Sequence, residues 1–144
     1  MNLLKRWLSR RRPAEPEHLR QGRLGEEAAY RHLCRLGYTV VARNYRTRNG
    51  RGEVDLIAWH DQKLVFVEVK TRSSEEFGTP ESAVDSRKRR QIVRAAGEYL
   101  RRAGLEWGCA RFDTVGVAWG EPIRIEVYRD AFSRRPVARQ RSRY

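Results

Sequence analysis

The spacing of apolar positions changes character several times along the chain. Between about Arg23 and Leu36, Ala29, Tyr30 and Leu33 recur three and four residues apart with Glu26 at the head of the same stripe, which predicts an amphipathic helix stopped by Gly37. The period then falls to two. Tyr38–Arg46, Gly52–Trp59 and Leu64–Arg72 are rich in β-branched and aromatic residues and are separated by short polar links, so they read as three strands, the last two an antiparallel pair. A polar loop follows, then Thr79-Pro80 opening a short helical turn through Val84. Asp85 is placed to cap a helix over 86–103, with Ile92, Ala96, Tyr99 and Ala103 as its buried stripe and Gly104 as its stop. Residues 109–119 and 122–128 read as two further strands joined at Gly120-Glu121. The pattern describes one α/β domain over residues 22–132, a sheet of about five strands flanked by helices, between arms at 1–21 and 133–144.

Two strands carry charge where apolar residues are expected. Side chains alternate between faces, so Glu53, Asp55 and Ile57 share one face of the second strand. Phe66, Glu68 and Lys70 share one face of the third, with Val65, Val67 and Val69 on the other. Strands this apolar look covered on both sides, and a carboxylate buried there is costly unless it is paired or holds a metal. Two carboxylates on neighbouring strands, with a lysine two residues past the second, suit phosphodiester hydrolysis. Asp55 and Glu68 would hold Mg²⁺ or Mn²⁺, hard cations that take oxygen ligands, and the ion would polarise the phosphoryl group. The Val69 carbonyl and Glu26, which sits on the apolar stripe of the first helix, are further candidate ligands. Lys70 would orient the attacking water and offset charge growing on the phosphate; nearby carboxylates argue against its acting as the base. For Glu26 the plainer reading is a helix-start carboxylate that complements the dipole.

With Asp55 as its Asp and Glu68-Val69-Lys70 as its E-x-K, the chain resembles the PD-(D/E)xK nuclease superfamily. Within it, the sequence is similar to the bacterial UPF0102 (YraN-like) family. The match runs through Gly25-Glu26, Asn44-Tyr45-Arg46, Gly52 to Ile57, Phe66 to Arg72, Phe77-Gly78, Ala83-Val84, Lys88 and Arg111-Phe112-Asp113, and covers about 22–132. It departs at Val54, where Ile is usual, and in its Arg-rich ends. The resemblance implies a restriction-endonuclease-like core with a mixed sheet and metal-dependent endonuclease activity. The wider set also looks like archaeal Holliday-junction resolvases, which implies DNA, branched or damaged, as the polymer and a homodimer as the assembly. The alternatives are a nucleic-acid-binding module that has lost turnover and an adaptor that docks through its basic ends.

Charge sharpens the choice of partner. The net charge is +13, and residues 1–23 and 129–144 each contribute +5. Basic ends suit a polyanion such as nucleic acid, because neutralised phosphates release counterions; an unstructured solubilising tail is the bland reading. Arg46, Arg48 and Arg51 cluster at the first hairpin, Arg72 follows Lys70, and Arg87, Lys88 and Arg90 crowd the start of the second long helix. Cations there oppose the helix dipole, which an external phosphate would relieve; a plain solvated face is the alternative. Only four lysines occur beside 27 arginines, so a lysine at 70 stands out as a compact ammonium able to approach a metal site. For Asp113 an ion pair with Arg111 is favoured over a place among the catalytic carboxylates. Trp59 and Trp119 are expected to pack in the core or at its rim, and His18, His32 and His60 show no metal-ligand spacing. Two isolated cysteines and no segment apolar enough to cross a bilayer point to a cytoplasmic protein without membrane contact.

Overall fold

The computed structural model describes residues 13–73 and 85–135. The N-terminal arm through residue 12, the loop and short turn at 74–84, and the tail from 136 lie outside the described residues. The elements in order are α1 (Glu17–Arg35), β1 (Thr39–Arg46), β2 (Glu53–His60), β3 (Lys63–Ser73), α2 (Ser86–Ala103), a 3₁₀ turn (Trp107–Cys109), β4 (Ala110–Trp119) and β5 (Arg124–Tyr128). The strands form one sheet in the order β1-β2-β3-β4-β5. β3 and β4 pair in parallel, with α2 in the crossover, and the other neighbours are antiparallel. This is the mixed five-stranded α/β architecture that the sequence implied.

Each face of the sheet carries its own core. Leu64 and Phe66 of β3 face α2, packing with Ile92, Ala95, Ala96, Leu100, Phe112 and Phe132. Val65 and Val67 face the other way, packing with Ala29, Leu33 and Tyr38 around α1. The alternation expected of β3 therefore holds. That of β2 does not. Val54 and Ile57, an odd number of residues apart, both join the α2-side core, while Leu56 and Ala58 join the other. The break coincides with Asn44 on β1, which stands opposite Asp55 in the β1–β2 register and adopts φ 50°. Asn is among the residues that tolerate this left-handed region. Glu53, Asp55 and Ile57 are thus not a continuous face.

One helix boundary and one stripe differ from expectation. α1 begins at Glu17, before the expected start near Arg23, and so takes in the last residues of the expected N-terminal arm. Its first turns carry no apolar stripe: Leu19 and Leu24 are exposed, and local pairs such as Gln21 Nε2 to Glu17 Oε1 (3.3 Å) and Arg23 Nη2 to Glu15 Oε2 (3.1 Å) support them instead. α2 keeps its expected limits. The Asp85 carboxylate accepts from Lys88 N–H at 2.8 Å, and Gly104 closes the helix with φ 68°. Its buried stripe is rotated, however: Ala95 and Leu100 are buried and Ala103 is exposed.

α2 is clamped onto the β1–β2 hairpin. Its Glu98 accepts from Tyr45 Oη at 2.6 Å and from Arg48 N–H at 3.2 Å. Thr47 closes the turn, its hydroxyl accepting from Gly52 N–H at 2.9 Å. The helix comes so near that a Cβ on Gly52 would lie 2.8 Å from Ala95 N and 2.7 Å from Thr47 Cγ2. Gly52→Ala is expected to cost ~1–3 kcal/mol through overpacking, lowering the melting temperature by several degrees. Gly108→Ala, where a Cβ meets nothing within 4 Å, should change stability by less than ~0.5 kcal/mol. Thermal unfolding of the two variants checks the contrast.

Candidate active site

The sheet opens where its carboxylates lie. Cα pairing between β2 and β3 runs from His60↔Lys63 to Leu56↔Val67 and stops there. Beyond that point β2 continues beside β1 to Glu53, and β3 continues beside β4 to Ser73. Asp55 stands at the fork, and its Oδ2 accepts from the Val69 N–H at 2.7 Å. A side-chain carboxylate thus takes over from the ladder and satisfies a backbone donor that the parting strands would orphan. Glu68, on the α2 face of β3, is buried at 6% exposure, and its Oε2 has no hydrogen-bond donor among the described residues. Asp55 and Glu68 lie close enough to share a proton.

The remaining groups reach the fork from both helices. On α1, Gly25 is buried against β3, where a Cβ would meet Thr71 Oγ1 at 2.0 Å. This approach brings the half-buried Glu26 beside Asp55. Burial, and then the Asp55 charge, push the Glu26 carboxyl above its ordinary value, while Arg43 and a hydrogen bond with Asn44 pull the other way. Glu27 turns outward to Arg31 (3.2 Å) and Arg43 (2.7 Å), so the two neighbouring glutamates separate as the helical spacing predicts. On α2, Lys88 Nζ lies 3.0 Å from Glu53 Oε1 and 3.5 Å from Glu68 Oε1. Burial lowers the Lys88 pKa, but Glu68, Glu53 and Asp55 together more than reverse that and leave it raised. The hydrogen bond from Lys88 holds Glu53 below its ordinary value.

The arrangement differs from the expected convergence of three carboxylates and Lys70. Among the described residues, no three Asp, Glu, His or Cys side chains are gathered tightly enough to hold an ion together. The tight unit is the Asp55–Glu68 pair, with Glu26 coupled to it through its charge. The ammonium bonded to these carboxylates is that of Lys88, which the sequence placed on the surface as a phosphate contact. Lys70 is half-buried one step beyond Glu68 on the same face; the Asp85 carboxyl at the start of α2 is lowered first by the bond from the Lys88 N–H and further by the Lys70 charge. Nothing in the sequence spacing reveals where α2 crosses β3, so the role of Lys88 was not legible there.

The arginines named from the sequence are distributed around this fork. Arg46 Nε lies 3.6 Å from Glu53 Oε2, and Arg48 and Arg51 are exposed on the neighbouring turn. Arg72 is half-buried near the end of β3, and Arg87 and Arg90 are exposed on the first turns of α2. Trp59 is exposed at the end of β2, at 38%, rather than packed in the core.

Asp113 belongs to a different unit, on the α1 face of the sheet. It is fully buried, takes a two-point pair from Arg111 (2.8 and 2.7 Å), and accepts from Tyr38 Oη at 2.8 Å and Asp130 N–H at 3.0 Å. His60 stacks on Tyr38 with ring centroids 3.9 Å apart, and its Nδ1 lies 3.0 Å from Arg111 Nη2. Burial and the bond to Asp113 push the Tyr38 hydroxyl up to about 12. The structural ion-pair reading of Asp113 holds, and His60, given no role from the sequence, completes the network.

Two measurements separate the satisfied cluster from the unsatisfied one. Asp113→Ala leaves half-buried Arg111 charged without its partner, and should cost ~3 kcal/mol in chemical unfolding. At the fork, burial and the Asp55 charge push Glu68 up from 4.5 to about 9. A carboxyl raised in the fold stabilises it below the unfolded pKa and loses that contribution as pH climbs to the folded value. In metal-free buffer, stability should therefore fall between about pH 5 and pH 9, by at most ~1.4 kcal/mol per pH unit. In Glu68→Gln that slope should be much shallower, the raised Asp55 and Glu26 carboxyls keeping the remainder.

The sequence profile described as "Uncharacterised protein family UPF0102" matches residues 25–117, which include Glu26, Asp55, Glu68, Lys70, Lys88 and Asp113. A UPF0102 protein of Solibacter usitatus is 52% identical over 122 residues, covering 85% of this chain and 91% of the relative. One from Koribacter versatilis is 46% identical over 121 residues (83% and 84%), and one from Moorella thermoacetica 43% over 116 residues (78% and 95%). The fork between β2 and β3, its carboxylate pair, all of α2 and the part of α1 that carries Glu26 lie within the matched span, and the chain belongs to the UPF0102 family.

Proposed function

We propose that this protein is a metal-dependent endonuclease of the PD-(D/E)xK type, acting on nucleic-acid phosphodiester bonds, with DNA as the favoured polymer. The observation that carries this reading is the pairing of half-buried Asp55 with buried Glu68 at the β2–β3 fork. Two carboxylates that close need a proton or a cation between them, and the donor-less Oε2 of Glu68 leaves a lone pair for it. The available donors are all oxygens: both carboxylates, the Val69 carbonyl and, from α1, Glu26. Oxygen donors suit Mg²⁺ or Mn²⁺; the Asp55–Glu68 pair would hold the ion, with Glu26, which is not gathered with them, reaching it directly or through water. When bound, such an ion supplies Lewis-acid activation of the phosphoryl group and of water.

The chain's own residues do the rest. Asp55 is held by the Val69 N–H through one oxygen, which would leave the other for an ion with little conformational search. Lys70 offsets charge developing on the phosphate. Lys88 balances the carboxylates when no ion is present, and its bonds to Glu53 and Glu68 compete with one. Arg46, Arg48, Arg51, Arg72 and Arg87 would form the rim for the polyanion backbone, with Arg90 on the other flank of α2. The family's own description is that of an uncharacterised group, so the activity stands on the site alone.

The test is a cleavage panel of linear, flapped and four-way DNA and of RNA, with Mg²⁺ or Mn²⁺, beside direct Mn²⁺ titration by electron paramagnetic resonance. Wild type is expected to cleave at least one substrate. Asp55→Asn and Glu68→Gln should each lose ~10²-fold or more and bind Mn²⁺ more weakly, whereas Lys88→Met, lacking the competing ammonium, should bind it more tightly. Salt-sensitive nucleic-acid binding that survives all three changes, without cleavage or Mn²⁺ binding, would identify a silent binding module instead.

A further inference from the structure

A second concave feature lies on the other flank of α2. After β5 the chain turns back across the start of β4. Asp130 N–H donates to Asp113, and Ala131 N–H donates to the Phe112 carbonyl at 2.8 Å. This return seats Phe132 against Phe112, ring centroids 5.0 Å apart, and leaves a groove between residues 131–135 and α2. The groove has a volume of about 550 Å³. Its floor is Val93, Ala131 and Phe132, and its walls carry Arg89, Arg90, Arg94, Arg134 and Arg135, with no acidic side chain among the lining residues. Two of these guanidinium groups lie over aromatic rings, Arg89 5.4 Å from the centre of Phe132 and Arg134 4.6 Å from that of Trp107. Smaller hollows continue it on both sides of Trp107, sharing Arg134 and Phe132 in one direction and Val93 and Arg94 in the other.

We propose that this groove binds a single-stranded segment of nucleic acid, its bases against the apolar floor and guanidinium faces and its phosphates on the arginine walls. The composition selects the ligand. An apolar floor under unopposed cations fits a molecule with flat apolar faces strung on a polyanion, which unpaired nucleotides are. A duplex hides its base faces in the stack and would use the arginines but not the floor. From Ser86, at one end of the groove, to Gly97, beside Trp107, α2 advances about 16 Å at 1.5 Å per residue, room for more than one nucleotide. Lys88, on another side of the same first turns, is bonded at the fork. The groove thus begins on the same helix turns whose opposite side reaches the carboxylates. The inference rests on the nuclease reading for its biological sense, and it narrows that reading to substrates with an unpaired arm, such as flaps, gaps or frayed ends.

Binding without metal tests the groove independently of catalysis. The full-length protein in EDTA is titrated against a fluorescent fifteen-residue oligothymidylate and against a blunt duplex of equal length, by anisotropy at several salt concentrations. The Arg89→Ala/Arg134→Ala variant is expected to lose roughly tenfold or more in affinity for the single strand and to change less than about threefold for the duplex. Its log K against log salt slope for the single strand should be shallower by about 1.4, the share of two phosphate contacts. Arg89→Lys/Arg134→Lys, which keeps the charge and loses the planar faces, should fall between and control for folding. Equal loss for both polymers, or none, overturns the groove. So does groove-dependent binding to vesicles containing phosphatidylglycerol, or to polyglutamate, in place of the oligonucleotide. Single-strand binding that depends on these arginines in a protein that never cleaves would uphold the groove and sink the nuclease reading; cleavage unaffected by them does the reverse.

Discussion

One hydrogen bond decides the layout: the Val69 N–H donated to the Asp55 carboxylate at the point where β2 and β3 part. A sheet that splits in its interior exposes backbone donors and acceptors to an apolar surrounding, which is ordinarily prohibitive. Here the split is tolerated because a side chain from one strand caps the backbone of the other. The opening lets the two faces of the sheet communicate. Glu26 comes from the α1 side and Lys88 from the α2 side, and both act on the same pair of carboxylates. A continuous five-stranded sheet would have kept those helices apart.

The two buried acidic clusters illustrate opposite solutions to the same cost. Asp113 has Arg111, Tyr38 and the Asp130 backbone as donors, and it fastens the return segment after β5 to β4. It is closed in the sense that nothing remains to be bound. The Asp55–Glu68 pair is left short of positive charge and of donors, with Lys88 as partial compensation. Buried groups left in that state weaken the fold, and they are the kind of imbalance that marks a functional site.

Much of this was legible in the sequence, for identifiable reasons. Strand and helix limits followed from period and from caps: Asp85 and Gly104 delimit α2 to the residue. The apolar face of β3 follows from strict alternation, and Glu68 stands out because it violates that pattern. What escaped were features set by tertiary crossing. The start of α1 is polar and carries no stripe. The face switch of β2 depends on the left-handed backbone at Asn44, one strand away. The exchange of Lys70 for Lys88 as the ammonium on the carboxylates depends on the angle at which α2 crosses β3, which no local spacing encodes. His60 was invisible because its partners, Tyr38 and Arg111, are distant in the chain.

Gly25 and Gly52 each stand immediately before a glutamate of the fork, and each lies where a Cβ would clash with a neighbour, β3 in one case and α2 in the other. The bare α-carbon acts as a dowel hole: it fixes how deep an element seats, and hence how far the following carboxyl projects. Errors at these two places would propagate to the charge-bearing groups without altering any of them. Glycine replacements at these two places would therefore displace the acids while leaving every one of them intact, a class of variant that a survey of polar residues alone would overlook.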